Sequence, residues 1–183
     1  MTTQCHHRAA RLVAMHRGDQ AVARALWQEH AGRLTALARS LTGSHADALD
    51  AVQEAFVAVL ALSRSDLAAV EDEAAYLAQA VHTRSLNLLR ASARRAKRER
   101  EGRPLRLAAD PADDSALERA LDTLPLNARE VLALKHLAGL TFEQIAFALE
   151  TPRATVSSRY YAALELLRGA LQTPGTTREV ARA

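Results

Sequence analysis

Apolar residues recur at helical intervals along nearly the whole chain, and this spacing is the feature that most constrains the fold. In the stripe from Val156 to Leu171, successive apolar residues are separated by 4, 3, 1, 3 and 4 positions. Such intervals place side chains on one face of an α-helix, whereas a half-buried strand needs strict alternation. The composition agrees, because 40 Ala and 28 Leu stand against 10 Val and one Ile, and strands favour β-branched and aromatic residues. We therefore predict an all-α protein, which excludes sandwiches, barrels and nucleotide-binding sheets.

Glycine, proline and charged segments divide the chain into two small helical domains joined by a flexible linker. The predicted parts are a leader over 1–18, a first domain over 19–100, the linker over 101–114, a second domain over 115–172 and a tail over 173–183. In the first domain, Asp19 is the expected N-cap of one helix and Gly43 its C-terminal stop. The leader is expected to be either disordered or a short helix.

Charge and cysteine content narrow the possible classes of function. The single Cys5 excludes a disulfide framework and fits a reducing cytoplasm. No uncharged apolar run reaches the length needed to cross a membrane, and the N-terminus lacks the apolar core of a secretory signal. Between Arg90 and Arg106 there are eight basic and two acidic residues. This patch indicates a polyanion partner, although a solvated linker would look the same.

The segment from Gly139 to Leu171 has the pattern of a helix-turn-helix. Thr141 and Gln144 form a capping pair at the start of a short helix, and a tight turn at Glu150 precedes a longer one. In such a motif the first turns of the second helix enter the major groove of DNA. The polar residues expected there are Arg153, Thr155, Ser157, Ser158 and Arg159. An ordinary helical hairpin with a polar outer face remains the alternative.

Three stretches together resemble bacterial RNA polymerase sigma factors of the extracytoplasmic-function class. LPLNAREVLALKHLAGLTFEQIAFALETPRATVSSRYYAALELLR is similar to the fourth sigma domain, and DALDAVQEAFVAVL and AYLAQAVHTRSLNLLRASARR are similar to helices of the second. The resemblance covers about residues 18–171. It implies a non-enzymatic subunit that binds core RNA polymerase and reads the −10 and −35 promoter elements. It also implies an anti-sigma factor as a partner and a cytoplasmic location.

The resemblance assigns candidate binding residues in the first domain. We expect core polymerase to bind an acidic polar face formed by Asp47, Asp50, Gln53 and Glu54. We expect the −10 element and nearby phosphates to contact Thr83, Arg84, Asn87, Arg90, Arg94 and Arg95. A solvated helix surface is the alternative for the acidic face. Thr83, Asn87 and His82 depart from the usual family residues close to where the duplex melts, so promoter melting and −10 preference stay open. In the helix-turn-helix, Glu150 replaces the frequent Gly of the turn, and Ser157 replaces a common Lys and so removes one phosphate contact.

Other candidate residues favour structural roles. Trp27 is expected in the core, and Tyr76 is either core or the family's aromatic at that helix start. Cys5, His6, His7 and His16 could form a metal site, but they lack paired cysteine spacing, so we predict no metal and no cofactor. No phosphate-binding loop or catalytic set is recognisable, so we predict that the protein is not an enzyme.

Two other functions stay open at this stage. The chain could be a helix-turn-helix regulator that binds duplex DNA without polymerase, which would favour a dimer and a symmetric operator. It could also be an interaction module with a degenerate sigma fold. Binding to core polymerase separates the sigma factor from the first alternative, and transcription from a cognate promoter separates it from the second.

Overall fold

The computed structural model describes residues 6–100, 120, 121 and 123–172, and all regular structure in these ranges is helical. The helices are α1 (His6–His16), α2 (Gln20–Thr42), α3 (His45–Ala61), α4 (Arg64–Ala68), α5 (Glu73–Arg100), α6 (Leu126–His136), α7 (Phe142–Ala148) and α8 (Arg153–Gln172). The prediction of an all-α fold is confirmed. The predicted linker, the tail, Cys5 and most of the helix expected between 115 and 124 lie outside the described residues.

Local capping signals account for the ends of α2 and the start of α3. The Asp19 carboxylate accepts hydrogen bonds from the backbone N–H groups of Ala21 and Val22. At the other end Gly43 has a φ of 72°, a left-handed conformation that glycine adopts without steric cost. The Ser44 hydroxyl then accepts from the N–H of Asp47 and starts α3. These short-range interactions explain why the boundaries were predictable from sequence.

The three long helices α2, α3 and α5 pack against one another and position the first set of candidate binding residues. Their contact is filled by small and branched apolar side chains, including Leu37, Val52 and Val81, which are fully buried. Residues 6–16 of the predicted leader add helix α1 to this group, and their Leu12 and Met15 belong to the same core. The helical alternative for the leader therefore holds, and α1 is part of the packed structure.

The second helical group buries part of its apolar side chains together with those of the first. Val131, Leu134, Ile145 and Val156, which come from α6, α7 and α8, belong to one continuous apolar cluster with the core of α2, α3 and α5. A smaller cluster of Leu124, Ala128, Leu132 and Ala163 lies within the second group alone. The two groups are therefore packed directly against each other. Within the described part of the chain, no helix combines the length and the apolar character needed to span a bilayer.

Candidate nucleic-acid interface

Helices α7 and α8 form the bent helix pair that the sequence predicts. The Thr141 hydroxyl accepts a hydrogen bond from the N–H of Gln144, and the Gln144 side chain accepts one from the N–H of Thr141, which is a complete capping box. The tight turn that follows contains Glu150 at a φ of 48°. A side chain in this left-handed conformation is sterically strained, by about 1 kcal/mol. The geometry is that of a helix-turn-helix, with α8 as the second helix.

Aromatic contacts hold α8 against the helices before it. Tyr160 packs edge-on against Phe142, with ring centroids 5.3 Å apart, and stacks on His136 at 5.7 Å. Its hydroxyl lies 3.2 Å from His136 Nε2, within hydrogen-bond distance. Val156 and Ala163 are fully buried beside it, whereas Leu171, expected to end the buried stripe, is half exposed. The buried stripe of α8 therefore ends before Leu171, and the last turn of the helix extends beyond the helices against which the rest of it packs.

The N-terminal turns of α8 present the side chains predicted to contact DNA. Arg153 and Ser158 are exposed, and Thr155, Ser157 and Arg159 are half-buried. Arg153 Nε lies 2.6 Å from Glu143 Oε1 on α7. Both side chains are about two-thirds exposed, so water screens the ion pair and it contributes little to stability. Its main effect is to orient the Arg153 guanidinium. With Nε facing Glu143, the two terminal guanidinium nitrogens are available to an external acceptor.

The acidic residues predicted to bind a protein partner lie on the outer side of α3. Asp50, Gln53 and Glu54 are exposed, and Asp47 is half-buried near the N-terminus of the helix. Three of these residues line a shallow depression with neighbouring apolar and basic groups: Asp50, Gln53, Glu54, Val57, Ala58, Ala61 and Arg84. Val57 is 63% exposed, so this surface combines carboxylates with uncovered apolar area. Exposed apolar area beside polar groups resembles the apolar centre and polar rim of a protein-binding surface.

The residues predicted to contact the −10 element follow one another along α5. Thr83, Asn87, Arg90, Arg94 and Arg95 are exposed, and Arg84 is half-buried. Arg84 Nε lies 3.8 Å from Glu54 Oε2, so the acidic depression and the basic stretch adjoin at this pair. Asn87 Oδ1 accepts a long hydrogen bond of 3.4 Å from Arg90. The positive charges of Arg90, Arg94 and Arg95 therefore face outwards, as binding to phosphates would require.

Two aromatic residues occupy positions between core and surface. Trp27 was predicted in the core, but it is 37% exposed and contacts Phe56 edge-to-face at 5.1 Å. The prediction is wrong because Trp27 lies on a partly exposed face of α2, outside the main buried cluster. Tyr76 is half-buried against the main core, and burial raises the pKa of its phenol, while Arg84 acts in the opposite direction.

A polar cluster between α1, α2 and α5 was not predicted. Arg11 donates 2.8 Å hydrogen bonds to Glu29 and to Glu73, and Glu73 is almost fully buried. His30 Nε2 lies 3.7 Å from the same Glu73 oxygen. Glu29, His30 and Glu73 are close enough to one another to bind a metal. The positively charged Arg11 guanidinium, however, already pairs with both carboxylates. No sequence motif marks this cluster, because its residues meet only through the packing of three helices. Of the predicted leader cluster, only the His16 side chain lies among the described ones, and it is half-buried.

The chain matches two protein-family models that together cover more than half of its length. The model described as Sigma-70 region 2 matches residues 26–95, and that described as Sigma-70, region 4 matches residues 114–167. No curated protein sequence matches the chain.

Solved structures share the fold of the chain at low sequence identity. The sigma factor RpoE from Bartonella quintana, solved in complex with the anti-sigma factor NepR, is 21% identical with a TM-score of 0.67. The match covers 83% of this chain and 98% of that chain. CnrH, solved in complex with the cytosolic domain of CnrY, is 20% identical with a TM-score of 0.66 over 91% of this chain and 98% of that one.

Proposed function

The chain belongs to the sigma-70 family, with regions 2 and 4 in the two-domain organisation of the extracytoplasmic-function class, and on this basis we propose that it directs promoter-specific transcription initiation. It would bind core RNA polymerase and bring the enzyme to promoters that carry its −10 and −35 elements. The observation that carries the proposal is the presence of both regions in order, with the helix-turn-helix of region 4 formed and its Arg153 exposed. A sigma factor performs no catalysis itself.

Region 4 supplies the proposed reading of the −35 element. The first turns of α8 would enter the major groove, where arginine binds guanine O6 and N7 and short hydroxyl side chains bind base edges or phosphates. Arg153 and Ser158 are free of covering structure, which supports direct contact. Thr155, Ser157 and Arg159 would contribute at the margin of the same surface.

Region 2 supplies the proposed contacts to polymerase and to the −10 element. The depression around Asp50, Gln53 and Glu54 would bind core polymerase, because its carboxylates surround exposed apolar groups such as Val57. Asp47 would extend this surface towards the start of α3. The basic side of α5, carrying Arg84, Arg90, Arg94 and Arg95 with Thr83 and Asn87, would follow promoter DNA. Each neutralised phosphate adds about one unit to the slope of log affinity against log salt.

An anti-sigma factor is the regulator that the relatives suggest. RpoE was solved with the anti-sigma factor NepR, and CnrH with the cytosolic domain of CnrY. We propose that this chain is likewise held by such a protein in the cytoplasm until a signal releases it.

Two assays test the proposed function. The purified chain is first mixed with core RNA polymerase and separated by size exclusion, where co-elution is expected. Run-off transcription is then measured on a promoter mapped from transcripts that rise on overexpression. Duplex binding without co-elution would favour a regulator that acts without polymerase. Co-elution without transcript would favour a degenerate interaction module.

A further inference from the structure

The polar cluster between α1, α2 and α5 has the donor set of a metal site, and we propose that it binds a divalent transition-metal ion of the Zn²⁺ type. Glu29, His30 and Glu73 would be the ligands, and we call these three residues the ligand triad. No metal was expected from the sequence, because the triad carries no motif and meets only through the packing of helices. The inference goes beyond the proposed function and does not depend on it.

Glu73 is the buried member of the ligand triad. Its side chain is 3% exposed, and its Oε1 accepts the 2.8 Å hydrogen bond from Arg11. Among the described residues, neither Glu73 Oε2 nor His30 Nε2 has a hydrogen-bond partner, although both atoms are shielded from solvent. Buried polar atoms are nearly always paired, and an exception in a folded protein calls for a bound water or ion. Two such atoms in one cluster point to a ligand that both lone pairs can contact.

The spacing of the donor atoms suits a single ion. His30 Nε2 lies 3.9 Å from Glu29 Oε1 and 3.7 Å from Glu73 Oε1. One donor atom of each residue lies within 4.8 Å of the other two. Tetrahedral Zn²⁺ binds imidazole nitrogen and carboxylate oxygen at about 2.0–2.2 Å, which places neighbouring donors about 3.4 Å apart. Small side-chain rotations would therefore bring the ligand triad to the separation that the ion requires.

The kinds of ligand select the class of metal. An imidazole with two carboxylates suits Zn²⁺ and similar first-row metals, whereas Mg²⁺ and Ca²⁺ prefer oxygen ligands alone. Three protein ligands leave a fourth position for water. The Glu29 side chain is 56% exposed, so the incoming ion and this water can reach the ligand triad from solvent on that side.

Arg11 is the competitor for the ligand triad. Its guanidinium donates to Glu29 Oε2 and to Glu73 Oε1, so it bridges the two carboxylates that the ion would bridge. The Arg11 side chain is 32% exposed and can turn into solvent when the ion binds. Metal binding would therefore replace the link from α1 to α2 and α5 by a direct link from α2 to Glu73, the first residue of α5.

Zinc binding by the purified full chain tests the inference without polymerase or DNA. The N-terminal leader holds other possible ligands, so the reference chain carries three substitutions there: Cys5→Ser, His6→Ala and His7→Ala. Zn²⁺ is titrated in competition with a fluorescent zinc indicator, and circular dichroism verifies that each variant is folded. In this background His30→Ala and Glu73→Gln each remove one ligand. His45→Ala, at an exposed histidine of α3, is the matched control.

We expect the reference chain to bind one Zn²⁺ with a micromolar or lower dissociation constant. His30→Ala and Glu73→Gln should each weaken binding at least tenfold, since even groups that only support metal ligands contribute that much, and His45→Ala should leave it unchanged. Co²⁺ in place of Zn²⁺ should give the visible absorption of a four-coordinate site in the reference chain alone. No binding by the reference chain, or undiminished binding by a folded His30→Ala or Glu73→Gln chain, would overturn the inference. Either ligand substitution suffices, so the test stands if one of them fails to fold.

Arg11→Ala tests the competition between the guanidinium and the ion. We expect this variant of the reference chain to bind Zn²⁺ severalfold more tightly, because the carboxylates no longer have to release a bound cation. Weaker binding by a folded Arg11→Ala chain would contradict the exchange. None of these measurements involves transcription, so failure of the proposed function and failure of the metal site are observed separately.

Discussion

Gln144 and Asp72 join the N-terminal ends of two helices from different regions of the chain through a 2.7 Å hydrogen bond. Each residue also caps its own helix, so one pair of side chains serves local structure and the contact between regions. A residue with two such roles couples the stability of a helix to the relative position of the regions. The energetic consequence can be measured at Gln144.

Gln144→Ala removes the bond to Asp72 and half of the capping box. We expect the free energy of unfolding to fall by about 1–2 kcal/mol, the usual range for a lost cap plus a hydrogen bond to a charged group. Urea denaturation followed by circular dichroism measures the change. Gln28→Ala, at an exposed position of α2, is the control and should change stability little. Equal effects of the two substitutions would contradict a special role for Gln144.

Leu12→Ala tests whether α1 belongs to the folded unit. Leu12 is fully buried in the main core, so we expect a loss of about 3 kcal/mol in the free energy of unfolding. Arg17→Ala, at the exposed end of the same segment, should be near neutral. A Leu12→Ala chain as stable as the original would show that α1 does not contribute to the core.

Glu150→Gly removes the side chain from a residue held at a φ of 48°. We expect a gain of about 0.5–1 kcal/mol in stability, because the relief of strain exceeds the loss of the exposed bond from Gln79. Glu150→Ala is the matched comparison, since it loses the same bond but keeps Cβ and the strain. Denaturant unfolding should therefore rank glycine above glutamate and glutamate above alanine; any other order argues against strain at this turn.

Arg153→Ala and Ser157→Ala should each change the preference among −35 variants. The expected loss of discrimination is about 1–3 kcal/mol per lost base contact. Gel-shift titrations of the polymerase complex across promoter variants provide the measurement. Arg168→Ala, on the same helix but paired with Glu165 near its other end, should leave the preference unchanged. If both test variants keep the original ranking of promoters, these residues do not read the element.

Asp50→Asn and Gln53→Ala should weaken binding to core polymerase. Each alters an exposed side chain of the depression on α3, so we expect a loss of at least about 1 kcal/mol without loss of helix content. Affinity is measured by titrating labelled protein with core polymerase, and helix content by circular dichroism. Glu165→Gln, exposed on α8, is the control for a general effect of charge. Unchanged affinity in both variants would assign polymerase binding to another surface.

Much of the local structure follows from residues close together in sequence. Asp19, Gly43 and Ser44 set helix boundaries through bonds to groups two to four residues away. The capping pair Thr141 and Gln144 does the same for α7. The spacing of apolar residues predicts the helix-turn-helix for the same reason, because each interval fixes which face of one helix is buried. The binding roles assigned to the exposed residues remain predictions.

Other features depend on which surfaces meet. Trp27 is a large aromatic residue of the kind expected in a core, yet it lies on a partly exposed face of α2, which no local pattern could reveal. His82 is recognisable in sequence only as a departure from the family, whereas the fold buries it against Glu130. Arg11, Glu29 and Glu73 carry no motif and become a cluster through packing alone.

The sequence by itself therefore determined the all-helical class of the fold, the ends of α2 and the bent pair of region 4, because these depend on interactions within a few residues, whereas the short helix α4 was expected to be a polar joint. Only the tertiary structure decided that the two regions share one apolar cluster and that Gln144 meets Asp72, 72 positions away. A hydrogen bond over that separation forms only after the helices have packed, since the loop-closure entropy is offset by burial of both surfaces together.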